Sequence, residues 1–456
     1  MTKENLGGAT VLVVDGGGRG SALVHAYAQS SEVSRIIAVP GNDGMKLTQK
    51  DTGKPVDIHI KLKTTNVEEI LEICREEKVN LVDVAQDNAV EIGLVDELEK
   101  RGISVVGPTR AAGQIEWDKA WARKFGTKYG LPQPDYQVFS SKSAGINYIR
   151  TQPEAPRFAK AAYLAGGKGS LSAKTNTDAV RRIKELKKFS KAAKVYLIEE
   201  WLRGENDEPG EEFSSFIFTD GKNIKIAGHA QDHKSIDNFN ELEMTGGMGC
   251  SSPPLVLTPD LVREVEQDIL EKAIQGMSSE ERTYKGVLYL GGMIVKREGR
   301  QKPYVIEFNA RWGDPEAQVI LPGLLNDLFE VSVAIAQGDI SKMDIRTDQK
   351  VRIAIAGVSR GYPEDYSRAA NKRIYGIDDV RRLADVKLYT AGIKEENDKY
   401  YTNGGRLFYV VAEGKNLIEA RQRGYEAMSM MSVEDNNLNY RFNIGWPDVE
   451  RLRQSQ

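Results

Sequence analysis

Tyr304–Asn309 is a short apolar run that carries Glu-x-Asn and leads into Ala310-Arg311-Trp312-Gly313-Asp314. In a strand, alternate side chains share a face, so Glu307 and Asn309 point the same way. A carboxylate beside an amide oxygen offers hard ligands suited to a Mg²⁺ ion that also holds nucleotide phosphates. Arg311 falls on the same side if the extended geometry continues, and a guanidinium there suits an anionic group. Taken alone, Glu-x-Asn reads more simply as an edge strand with two solvated residues. Lysines, glycines and acids placed upstream in an order suited to ATP shift that balance.

One of these is Lys160-Ala161-Ala162-Tyr163-Leu164-Ala165-Gly166-Gly167-Lys168-Gly169, whose GGKG turn taken singly reads more simply as a hairpin with a solvated lysine. A strand lysine followed by a glycine loop and a second lysine can fold backbone donors and two ammonium groups around phosphates. No Lys-Ser/Thr opens a helix at the required spacing, so it is not a Walker loop. Gly16-Gly17-Gly18-Arg19-Gly20 follows the first strand directly, bringing backbone N–H groups and a helix start toward an anion. Tight-turn geometry explains these glycines about as well, and Arg19 tips the reading toward a phosphate or carboxylate. Gln231-Asp232-His233-Lys234 and Thr245-Gly246-Gly247-Met248-Gly249 form a second polar and glycine-rich pair of segments. Thr402-Asn403-Gly404-Gly405-Arg406 reads as a hairpin turn or an anion grip.

These residues need elements to hold them. Thr10–Asp15 is a continuous β-branched run of the kind buried on both faces of a parallel sheet. Strands at Arg35–Val39, Val56–Leu62, Leu81–Ala85 and Ile103–Gly107 alternate with helices at Val67–Glu76 and Glu91–Arg101. This predicts a doubly wound parallel α/β domain over residues 1–116. From 117 to about 340 the pattern is α+β, with a small lobe near 131–202, a hairpin at Val287–Arg297 and Pro303–Asn309, and helices at Asp260–Met277 and Leu321–Gln337. Residues 341–456 form a last mixed α/β unit, with strands at Val351–Val358, Val386–Ala391 and Leu407–Glu413.

At 456 residues the chain is long enough for about two to four domains. A net charge of −3 gives no basic field for nucleic acid or an anionic membrane. Two cysteines, Cys74 and Cys250, exclude a disulfide framework, and four histidines are few for a histidine metal site. No apolar run reaches bilayer-spanning length, and the N-terminus carries no signal-peptide pattern. The expectation is a cytoplasmic, soluble protein that binds small molecules, as a monomer or homodimer.

In chain order, the segments resemble the glycinamide ribonucleotide synthetases of the ATP-grasp superfamily. The similarity rests on Gly107-Pro108-Thr109, Lys119, Lys160 with the Ala165–Gly169 loop, Ile198-Glu199-Glu200, Gly210-Glu211-Glu212-Phe213-Ser214, Gln231–Lys234, Thr245–Gly249, Val305–Gln318, Gly361-Tyr362-Pro363, Thr402–Arg406 and Asn443-Ile444-Gly445-Trp446. It covers essentially the whole chain. The resemblance implies an N-terminal α/β domain, two ATP-grasp lobes and a C-terminal domain. It implies a ligase using ATP and Mg²⁺, with Mn²⁺ as an alternative, to join phosphoribosylamine and glycine in purine synthesis.

By the same resemblance, Lys119, Lys160 and Lys168 hold phosphates under the Gly166-Gly167-Lys168-Gly169 loop. Glu199, Glu200 and Leu202 border the adenine, and Glu211 or Glu212 takes the ribose. Glu307 and Asn309 hold the metal, and Arg311, with Lys160 and Lys168, stabilises the transferring group. The substrates fall to Gly17, Gly18, Arg19, Asp232, His233, Lys234, Gly246, Gly247, Met248, Gly249, Arg311, Gly313, Asp314, Asn403, Gly404, Gly405 and Arg406.

Departures from the family cluster, and the residues expected to hold ATP and metal survive better than those expected to touch the substrates. Gly17-Gly18-Arg19-Gly20-Ser21-Ala22 stands for Gly-Gly-Arg-Glu-His-Ala, and Ala85-Gln86-Asp87-Asn88-Ala89 for Gly-Pro-Glu-Ala-Pro. Glu116-Trp117-Asp118-Lys119 stands for Glu-Gly-Ser-Lys, Ala162-Tyr163 for Asp-Gly, and Leu242-Glu243-Met244 for Gly-Pro-Asn. An ATP-grasp ligase for another carboxylate and amine, or a non-catalytic nucleotide-binding relative, are the competing readings. A nicotinamide dehydrogenase, suggested only by the first glycine turn, is the weakest reading, because this chain lacks the ribose-binding acid.

Overall fold

The computed structural model describes residues 8–239 and 244–454. The expected N-terminal sheet is present with five parallel strands, in the order Val56–Ile58, Val33–Ala38, Ala9–Val14, Leu81–Val84, Val105–Val106. The central strand is buried along its whole length, as its β-branched sequence requires. The helix expected at Glu91–Arg101 spans Leu94–Lys100, because Gly93 takes a left-handed φ of 86° before it and separates it from a short helix, Asp87–Glu91.

The small lobe is a four-stranded antiparallel sheet ordered Tyr136–Phe139, Tyr196–Glu200, Arg157–Ala161, Ser170–Ala173. Helices Lys142–Thr151 and Asn176–Glu185 contribute Ile149 and Ile183 to its core, against Ala159, Tyr196 and Ile198. The two middle strands bring Lys160 and Glu199 onto neighbouring rows.

A nine-stranded sheet carries the rest. Arg300–Asn309 pairs with Gly286–Arg297 as the expected hairpin, and the order continues through Glu211–Thr219, Ile224–Asp232 and Gly249–Ser252. Gly249–Ser252 then pairs with Val351–Ser359, which leads to Arg406–Gly414 and Val386–Thr390. The sheet therefore crosses residue 340 without a break.

Leu321–Gln337 is not one helix. Pro322 confines the first part to a short turn, and a new helix, Leu328–Gln337, starts where the Asp327 carboxylate accepts from Phe329 N at 2.8 Å. Of the departure at Leu242-Glu243-Met244, Leu242 and Glu243 lie outside the described residues, as do residues 240 and 241. No helix among those described is long and apolar enough to cross a membrane.

Candidate active site

A cleft lies between the small lobe and the strand Arg300–Asn309. Lys119, Lys160, Gly166, Gly167, Glu199, Glu307, Asn309 and Arg311 all line it. So do Asp87, Glu116 and Arg123.

Local sequence fixes Lys119. Asp118 caps the helix Lys119–Lys128 by accepting from Trp121 N at 3.0 Å, as a serine would. The Lys119 N–H donates to Ala162 O at 2.8 Å, which ties this helix start to the chain just after Lys160. Gly166 and Gly167 have φ of 59° and 75° with open space at their Cβ positions, so the loop needs them for its left-handed backbone. Lys168 is directed away, its Nζ 3.4 Å from Pro363 O of the C-terminal part.

Lys160 Nζ lies 2.6 Å from Glu199 Oε2, and Arg123 grips the same carboxylate at 2.8 and 3.1 Å. Arg123 also donates to Ile306 O at 2.6 Å, joining the small lobe to the strand of Glu307. Burial works to raise the Glu199 carboxyl, but Arg123 and Lys160 outweigh it and hold it at about 2. The Glu199 side chain is thus committed to cations, and Glu200 to Arg297. Leu202 is buried beyond them. Glu211 pairs with Arg451 and accepts from Gln231, while Glu212 pairs with Lys234 at 2.8 Å.

Among the described residues Glu307 makes no ion pair within 4 Å. Burial pushes its carboxyl up, yet Lys119, Lys234, Lys160 and Arg311 together hold it below the usual carboxylate range. Asn309 Oδ1 accepts from Arg311 Nη2 at 3.3 Å, and the buried Asn309 Nδ2 has no partner. An orphaned amide beside a charged but unpaired carboxylate leaves room for a ligand group. No group of three or more His, Cys, Asp or Glu gathers as metal ligands among the described residues. The donor set therefore fits Mg²⁺ that takes its other oxygens from phosphate and water. Arg311 is anchored by Glu116 at 3.0 Å, whose Oε2 also accepts from Ala310 N at 2.7 Å.

The remaining substrate candidates gather around Arg406. Its Nη1 donates to Gly246 O at 2.6 Å and Asp314 O at 2.8 Å, and its Nη2 sits 3.4 Å from Asp314 Oδ2. Gly247 has φ +119° and a Cβ there would meet Pro315 at 2.5 Å, so this loop admits only glycine. Gly313 is equally crowded by Glu316. Met248 is a buried packing residue, and at Gly249 a Cβ would strike Ala354 O. Asp232 has an unpartnered Oδ1, and burial together with Glu316 raises its carboxyl well above the usual range. His233 Nε2 accepts from Gly445 N at 2.8 Å, tying this strand to the last turn. Asn403, Gly404 and Gly405 form a tight turn: Gly404 O accepts from Ser359 Oγ at 2.7 Å, and a Cβ at Gly405 would overlap Tyr362.

Gly18 packs where a Cβ would overlap Tyr409, and Gly17 faces Asp314. Arg19 is buried on Asp15 and on Trp312 O, at 2.6 and 2.9 Å. Arg123, Glu116, Asp87 and Asp15 were beyond sequence reasoning as site residues. For Glu116 and Asp87 the family motifs that contain them carried a signal; for Arg123, 76 residues from Glu199, nothing local did.

Residues 9–116 match the phosphoribosylglycinamide synthetase N domain, 117–317 its ATP-grasp (A) domain and 352–447 its C domain. A phosphoribosylamine–glycine ligase of Chlorobaculum tepidum is 34% identical over 428 residues, covering 93% of this chain and 96% of that one. The crystal structure of phosphoribosylamine–glycine ligase from Thermotoga maritima aligns with TM-score 0.76 at 26% identity, over 96% of this chain and 100% of the other. The biotin carboxylase domain of Hydrogenobacter thermophilus 2-oxoglutarate carboxylase, solved with MgADP and bicarbonate, shares the fold at TM-score 0.68 and 17% identity, covering 94% and 91%. With its fold, its cleft and all three of its segments matched, the chain belongs to the phosphoribosylglycinamide synthetase family.

Proposed function

We propose that this chain joins glycine to phosphoribosylamine at the expense of ATP, giving glycinamide ribonucleotide, ADP and phosphate. The observation that carries the reading is Glu307, a charged carboxylate without an ion pair, beside Asn309 and facing Lys119, Lys160 and Arg311. Mg²⁺ held by Glu307 and Asn309 would neutralise charge building on the phosphates during transfer. Lys119 and Lys160 bind phosphate oxygens under the Gly166–Gly169 loop, Lys160 being held in place by Glu199. ATP phosphorylates the glycine carboxylate, and the amine displaces phosphate from that acyl phosphate. Arg311, locked by Glu116, faces the oxyanion that develops. No side chain serves as nucleophile; activation and positioning do the chemistry.

The same reading assigns residues 1–116, 117–340 and 341–456 to three domains, and places the enzyme in the cytoplasm as a monomer or homodimer. Mn²⁺ serves as a substitute metal. Purified protein with MgATP should release ADP only when glycine and phosphoribosylamine are both present. ADP release with another amino acid or amine, and none with this pair, would overturn the substrate assignment.

A further inference from the structure

We infer that Asp15 is a specificity-determining residue: its carboxylate occupies, from within the chain, the donors by which the N-terminal glycine turn would hold a substrate phosphate. Asp15 is fully buried at the end of the first strand. Its Oδ1 accepts from Gly17 N at 2.5 Å and Gly20 N at 3.2 Å. Its Oδ2 accepts from Arg19 Nε at 2.8 Å, Arg19 Nη2 at 2.6 Å and Gln86 Nε2 at 2.9 Å. Backbone N–H groups at a helix start and a guanidinium fork are the donors that bind phosphate. Here all of them face an internal anion.

The glycine at position 20 follows from the same arrangement. A Cβ on Gly20 would lie 2.7 Å from Asp15 Oδ1 and 2.8 Å from its Cβ. The side chain missing at position 20 and the carboxylate at position 15 share one volume. A second carboxylate closes the turn from the other side, with Asp314 Oδ2 3.5 Å from Arg19 N and 3.2 Å from a Cβ built on Gly17. Two carboxylates repel a phosphate dianion. The turn therefore faces an uncharged or cationic part of the amine substrate, and a phosphate on that substrate is held away from it.

The phosphorylated amine comes from the ligase reading, but occupancy of the turn is testable without turnover. Asp15→Asn keeps the shape and the Oδ1 acceptor while removing the charge, so Arg19 is left without its counter-ion. Ribose 5-phosphate, titrated calorimetrically into the full chain, should bind Asp15→Asn about tenfold or more tightly than the unaltered protein. It should also raise the melting temperature of the variant alone, and adding Arg19→Gln should abolish the gain. Equal binding to both proteins would overturn the inference. If Asp15→Asn does not fold, Asp15→Gly, which removes both carboxylate oxygens and leaves Gly20 as it is, should show the same gain; equal binding there overturns it as well. Tight binding to the variant with no ADP release from glycine and phosphoribosylamine would sink the ligase reading and leave this inference standing. An active unaltered enzyme that ribose 5-phosphate inhibits as strongly as it inhibits Asp15→Asn would do the reverse.

Discussion

Lys160 Nζ lies 2.6 Å from Glu199 Oε2 on the neighbouring strand, and Arg123 binds the other oxygen at 2.8 Å. The lysine is preset toward the cleft before any nucleotide arrives, and its charge is only partly balanced because two cations share one carboxylate. Glu199→Gln leaves both cations buried without it, which costs about 3–5 kcal/mol. The folded Glu199 carboxyl is depressed to about 2 from an ordinary 4.5. Its stabilisation is therefore complete above pH 4.5 and lost as pH falls toward 2. Urea melts at descending pH should show the gap between unaltered protein and variant closing across that window. A gap independent of pH would refute the pairing.

Glu307→Gln should keep a cooperative thermal transition and lose turnover. Replacing a charged oxygen ligand by a neutral one weakens metal binding, so the Mg²⁺ needed for half-maximal ADP release should rise about tenfold or more. Lys160→Ala should likewise reduce turnover sharply with the fold retained. Near-normal activity in either variant would remove the site assignment.

His233 accepts from Gly445 N, which requires a neutral ring. Burial and then the nearby Arg441 and Arg421 lower it to about 3 from 6.5. A histidine depressed in this way stabilises fully above pH 6.5 and costs stability as pH falls toward 3, by about 1.4 kcal/mol per pH unit. His233→Gln keeps an acceptor but cannot take up a proton. Relative to this variant, the unaltered protein should weaken steadily below pH 6.5 in denaturant titrations; parallel curves would show that His233 does not titrate on unfolding.

Arg406 is the clasp between the Gly246–Gly247 loop and Asp314. Lysine retains the charge but loses the fork, so Arg406→Lys should loosen both loops at once. The expected result is a raised KM for glycine or the amine, about tenfold, with the KM for ATP unchanged. An equal rise for ATP would place Arg406 in the nucleotide pocket instead.

Much of this was legible where chemistry is local. Glu307 and Asn309 share a face because a strand alternates, and the run Thr10–Val14 could only be buried. What escaped was long-range or irregular. Arg123 and Glu199 are joined through folding, with no spacing rule to reveal them. The strand Ile224–Asp232 has no clean alternation, and its Gly228 is pressed against Ile320. Leu321–Gln337 looked helical by its apolar content, while Pro322 and the cap at Asp327 decided otherwise. Asp15 read as the end of a strand, and only three-dimensional proximity shows that it fills the space of a side chain at position 20.

The nine-stranded sheet has a mechanical corollary. Since Gly249–Ser252 is the strand that fastens the hairpin of Glu307 to the strands of Arg406, Glu307, Asn309 and Arg406 belong to one continuous sheet. The four-stranded lobe with Lys160 shares no strand with that sheet. Glu307, Asn309 and Arg406 thus ride on one hydrogen-bonded frame and Lys160 on another, with Arg123 the bridge between them through Glu199 and Ile306 O.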